Sequence, residues 1–162
     1  MPASFGTSRK NESRGLLRAA LWGGLLCGAL DITAAFLIYG AMGLRPIRLL
    51  QGIASGLLGH RAYSGGAETA LLGFVLEFVI SCGAAAVYVL ASRRMTLLTR
   101  HAIVLGLLYG IAVYWFMQLA VLPLSAYARR PFSMEITLIG IAIHMTCVGL
   151  PIALATRRFA SR

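Results

Sequence analysis

The chain has 162 residues, of which 59% are hydrophobic and only 12% charged, and its mean hydropathy is +0.80. A soluble globule of this size has no interior large enough to hide so much apolar surface, so composition excludes the ordinary soluble classes and points to a membrane protein. The net charge of +10 would suggest nucleic acid in a soluble protein; here the basic residues stand in short clusters between apolar runs, which suits anchoring at a membrane surface, with lipid as the partner and no nucleic acid.

Residues 1–15, MPASFGTSRKNESRG, are polar and basic without periodicity and read as a disordered tail. The apolar stretch from Leu16 to Leu44 follows. It is too long for a signal-peptide core and lacks a convincing cleavage site, so it reads as the first membrane span, over 16–44. One carboxylate, Asp31, interrupts it. A charge in the middle of a span costs several kcal/mol unless it faces water or a partner, so Asp31 is either the heart of a polar site or a structural fastener.

Pro46 then opens a segment whose apolar residues Leu49, Leu50, Ile53, Leu57 and Leu58 recur at helical spacing. Residues 47–58 are too few to span, and a short helix along the membrane interface is expected; a lid over a cavity is the sharper alternative. His60 to Gly66, HRAYSGG, reads as a loop.

Three further spans are predicted over 68–91, 102–125 and 135–156, so that residues 16–158 form a single all-α bundle of four transmembrane helices, followed by a short tail at 159–162. With four spans, both termini and the loop carrying Arg93, Arg94 and Arg100 share one side. Ten basic residues fall there and five on the other, which places the N- and C-termini in the cytoplasm. Trp22, Tyr39, Tyr63, Tyr127 and Phe132, near span ends, suit the interfacial aromatic belt. Pro151 is expected to kink the fourth span.

The spans line up in pairs. Gly24-Leu-Leu-Cys-Gly28 has a counterpart in Gly106-Leu-Leu-Tyr-Gly110, and Glu68, Leu71, Gly73 and Glu77 share their spacing with Glu135, Leu138, Gly140 and His144. A tandem repeat of a two-helix hairpin is the implied organisation, related by an axis along the membrane normal, with Glu77 and His144 in equivalent positions near that axis. Gly24, Gly28, Gly106 and Gly110 form two GxxxG pairs, which let backbones approach closely where lipid supplies no hydrophobic drive.

Depth brings the polar residues together. At about 1.5 Å per residue, Asp31 lies about 22 Å and Gln118 about 24 Å from the starts of their spans, while Glu77 and His144 enter from the other side and lie about 13 to 15 Å down. Asp31, Glu77, His144 and Gln118, joined by Thr33 and Tyr114, are therefore the candidate polar cluster. A carboxylate–histidine pair in such a place titrates as a unit and suits the handling of protons or a small polar solute. The bland reading is a satisfied network that pins helix register.

Two carboxylates and a histidine, with Cys147 one turn from His144, are also donors for iron, zinc or manganese, but no HExxH or CxxC motif accompanies them and no cofactor is legible. Cys27, Cys82 and Cys147 are odd in number and lie inside apolar runs, which implies small buried hydrophobes rather than disulfides. No nucleophile motif and no phosphate-binding loop is present, so enzymatic activity is not the favoured reading.

The pattern Gly106-Leu-Leu-Tyr-Gly110, Pro123-Leu-Ser125, Glu135, His144 and Arg157-Arg158 resembles the second half of small bacterial inner-membrane proteins of the YagU-like kind. The stretch from Arg45 to Gly56, RPIRLLQGIASG, resembles one in four-span bacterial proteins of unassigned activity. The resemblance implies a bacterial cytoplasmic-membrane protein and carries over no catalytic residue. Three functions stay open: a transport or proton-linked protein; an accessory subunit or homo-oligomer packed through its glycine faces in a larger membrane complex; and a membrane metalloenzyme.

Overall fold

The computed structural model describes residues 4–127 and 132–160, with side chains described from Ser13 onward and Ala160 the last. The described residues are helical nearly throughout and contain no strand, and four helices are long and apolar enough to cross a membrane: Ser13–Ala41, Gly66–Arg94, Ala102–Leu124 and Met134–Ala160. These are numbered spans 1 to 4.

The helix that carries span 1 begins at Ser4, well inside the stretch expected to be a disordered tail. The physical reason is cooperativity: once a long helix is nucleated, adding a residue at its end is cheap even for polar sequence. Residues 1–3 of that tail lie outside the described residues. Span 1 ends at Ala41, three residues before the expected Leu44. The backbone turns there at Gly43, whose φ of +88° suits glycine, and the Leu44 N–H donates to the Tyr39 carbonyl while the Gly43 N–H donates to Gly40, the paired bonds of a Schellman stop.

Pro46–Leu58 forms the expected short helix, opened by its proline. The loop expected after it is instead a 3-10 helix, Gly59–Tyr63, and a further one-turn helix, Leu97–Arg100, joins spans 2 and 3. The connection between spans 3 and 4, with Arg129 and Arg130, and the last two residues of the chain lie outside the described residues. The C-terminal tail expected from 159 begins later, because helix continues to Ala160.

Span 1 is the centre of the bundle, packing on spans 2 and 4, and span 4 packs in turn on span 3. Spans 2 and 3 scarcely meet along their length. At the end that holds Ser13 and Ala160, however, the Tyr109 hydroxyl donates to the Ala84 carbonyl at 2.8 Å and the Tyr88 and Tyr109 rings meet edge to face at 4.9 Å. Cys27, Ala85, Tyr88, Ala102, Val148, Ile152 and Ala153 form the core beneath them.

At the opposite end the short helix packs on span 2 and reaches span 3. The Ala126 N–H, just past span 3, donates to the Gly56 carbonyl at 2.9 Å. Gly73 of span 2 has no Cβ to collide with the short helix at Leu50 and Ala54. Buried Gln51 fastens the contact from within. Its amide donates to the Gly66 carbonyl at 3.0 Å and reaches the Thr69 hydroxyl, which donates to Ala62 at 2.6 Å.

Two widened π turns break the regular helix, Met117–Val121 in span 3 and His144–Gly149 in span 4. Each ends two residues before a proline, Pro123 or Pro151. Proline lacks an N–H and its ring crowds the carbonyl four residues back; a π turn moves that carbonyl away and re-pairs its neighbours. The strain that predicted a kink at Pro151 is taken up in this local widening.

Candidate functional site

One face of span 1 carries Gly24, Cys27, Gly28 and Asp31, spaced three and four residues apart as a single helical stripe. The glycines of that stripe sit on span 2. A Cβ on Gly24 would lie 2.5 Å from the Cys82 backbone, and one on Gly28 would lie 3.0 Å from the Phe78 ring. Gly106 and Gly110 do the same for span 3 against span 4, where Gly106 meets Gly149 and Ala153, and Gly110 meets the backbones of His144 and Met145. The matched pairs Gly28–Phe78 and Gly110–Met145 are the same contact in the two hairpins, since Phe78 and Met145 each follow the equivalent residues Glu77 and His144. Three-dimensional packing thus repeats the sequence pairing.

The close seams bring the polar residues of the middle layer together. Asp31 of span 1 and Glu77 of span 2 lie carboxyl to carboxyl, near enough for a hydrogen bond between them, and Asp31 also lies within electrostatic reach of His144 on span 4. Glu77 and His144 do not meet across the axis as the repeat suggested; Asp31 stands between them. The reason is the packing order, in which span 1 is wedged between spans 2 and 4.

The second shell of contacts is specific. Ser81, one turn after Glu77, is buried and donates its hydroxyl to Glu77 Oε1 at 3.2 Å. His144 Nδ1 lies 2.9 Å from the Gly140 carbonyl, which fixes that nitrogen as the donor and leaves Nε2 for other partners. The buried Tyr114 ring meets the imidazole edge to face at 5.3 Å, in space that Gly140 leaves by having no side chain. No charged side chain among the described residues is fully buried, yet one atom is sealed: Asp31 Oδ1 is shut off from solvent and has no hydrogen-bond partner.

Two residues expected in the cluster stand apart. Gln118 is exposed, although it follows buried Tyr114 by four residues. In an uninterrupted α-helix the two would share a face; the π turn that opens at Met117 adds a residue to the turn and swings Gln118 off that line. Thr33 is also exposed, its hydroxyl bonded back to Ala29 of its own helix at 2.6 Å. Ser81 is the member that sequence reading missed. Its spacing of four from Glu77 was the available signal.

For a metal, no group of three or more His, Cys, Asp or Glu side chains among the described residues is arranged to hold an ion. Cys147 turns toward Thr146, 3.6 Å from its hydroxyl. All three cysteines are free, with Cys27 fully buried and the others partly so.

Fold and site together define a multi-pass α-helical membrane protein with a carboxyl pair and a histidine in its middle layer. Compared with family models, with curated proteins and with solved structures, the chain matches none.

Proposed function

We propose that the protein handles protons, or a small polar solute that moves with them, at the Asp31–Glu77–His144 cluster. The observation that carries this reading is the sealed and unpartnered Oδ1 of Asp31 beside a second carboxyl. An unmade hydrogen bond at a buried carboxyl is expensive, and a group that merely pinned helix register would be satisfied by its neighbours. Such an atom is suited to accept a proton or a donor group that comes and goes. Ser81 orients Glu77 and the Gly140 carbonyl orients His144, so the three titratable groups are held in place for exchange among themselves.

The setting proposed is a bacterial cytoplasmic membrane with both termini inside, supported by the arginines that crowd the end holding the termini and by the YagU-like resemblance. The test is flux in liposomes containing only this protein, with a pH-sensitive dye inside. An imposed pH gradient should collapse faster through the native protein than through Asp31→Asn/Glu77→Gln. Equal rates would sink the proposal.

A second reading, a subunit of a larger membrane complex or a homo-oligomer, is favoured by Gly40 and Gly83, which have open space where a side chain would be and leave notches on the outer surface. Purification from native membranes without a stoichiometric companion, and as a single copy, would count against it.

A further inference from the structure

The charge of the bundle is divided between its ends. At the end holding the termini, span 1 begins with Arg14 and Arg18, span 2 closes with Arg93 and Arg94, and span 4 closes with Arg157 and Arg158. The acids Glu68 and Glu135 both lie at the opposite end. Helix macrodipoles do not balance this. Each contributes about half an elementary charge, negative where spans 2 and 4 end and positive where spans 1 and 3 begin, so over four helices they cancel and the arginine charge remains.

At one place the charge adjoins a recess of about 630 Å³ lined by Leu90, Ala91, Arg93 and Arg94. Its walls differ in kind. Leu90 is exposed and belongs to the apolar length of the span, whereas the two guanidinium groups stand where the span ends. Ser92, between them, turns inward and bonds to the Val89 carbonyl, which leaves the recess to the residues on either side.

We propose that this recess binds the headgroup of an anionic phospholipid, its phosphate against Arg93 and Arg94 and its acyl chain along Leu90. A guanidinium offers a planar fork of donors that matches phosphate oxygens, and a basic recess at the edge of the hydrocarbon layer is the form such sites take in membrane proteins. A soluble phosphate would use the arginines and gain nothing from Leu90. The apolar wall therefore selects lipid. This inference is independent of what the middle-layer cluster does.

The test uses the full chain in nanodiscs of phosphatidylcholine with increasing phosphatidylglycerol, released and analysed by native mass spectrometry for retained lipid. Phosphatidylglycerol should be retained selectively. Arg93→Gln/Arg94→Gln should weaken retention on the order of tenfold, the weight of one lost charge-assisted contact, whereas Arg45→Gln/Arg61→Gln at the other end should leave it unchanged. Should the first pair fail to fold, Arg94→Gln alone is read in the same way, and Arg93→Lys/Arg94→Lys should keep most of the retention. Equal retention of the two lipids, equal loss in the two glutamine pairs, native retention in the first pair, or displacement by free glycerol phosphate as readily as by lipid would each overturn the site.

Discussion

Gly110 of span 3 lies flush against the peptide of His144, with no room between them for even a methyl group. That contact sets how far span 4 stands from its partner and hence where the imidazole faces Tyr114 and Asp31. Gly110→Ala is therefore expected to push the two backbones apart and destabilise the bundle by about 1 to 3 kcal/mol, the usual range for overpacking. Gly83→Ala is its control. Nothing lies within 4 Å of a side chain there, and removal of a glycine from a helix interior should stabilise by roughly 0.5 to 1 kcal/mol. Thermal unfolding in a single detergent, compared across the three proteins, reads both.

Loss of the sealed carboxyl should separate function from stability. In Asp31→Asn the amide brings donors to a place where Glu77 and the unpartnered atom can accept them, so the folded state should be no less stable than the native one. Gradient dissipation in liposomes should nevertheless fall toward the level of protein-free vesicles. A variant that lost stability and kept its rate would assign Asp31 to structure.

Ser81→Ala removes the hydroxyl that donates to Glu77 Oε1. A hydrogen bond to a carboxyl group is worth about 1.5 to 3 kcal/mol when the acceptor is charged and about 1 when it is neutral. The measured loss of stability should therefore sit near the lower figure if Glu77 holds a proton at the pH of the assay and rise at alkaline pH. The same unfolding experiment, repeated across pH, distinguishes the two.

The short helix should come loose when Gln51 is truncated. Its buried amide satisfies the Gly66 carbonyl and contacts Thr69, and Gln51→Ala leaves that carbonyl without this donor at a cost of roughly 1 to 3 kcal/mol. Backbone hydrogen exchange over 46–58 should accelerate while the core around Tyr88 keeps its protection. Uniform acceleration would mean that the helix is part of one cooperative unit with the bundle.

Much of the architecture was legible before any coordinates. Four spans, the short helix and the height of Asp31, Glu77 and His144 follow from run length and a fixed rise per residue, because hydrocarbon admits helices and little else. The repeat, too, was visible in the glycine spacing. What periodicity in a uniformly apolar helix cannot supply is azimuth: with nearly every face apolar, no stripe marks the interior. Tertiary packing decided that Asp31 stands between Glu77 and His144, and the π turn before Pro123 decided that Gln118 faces out. It also decided that the short helix joins span 2 to the end of span 3. That place is fixed by backbone contacts at Gly73 and Gly56, which carry no hydrophobic signature in the sequence.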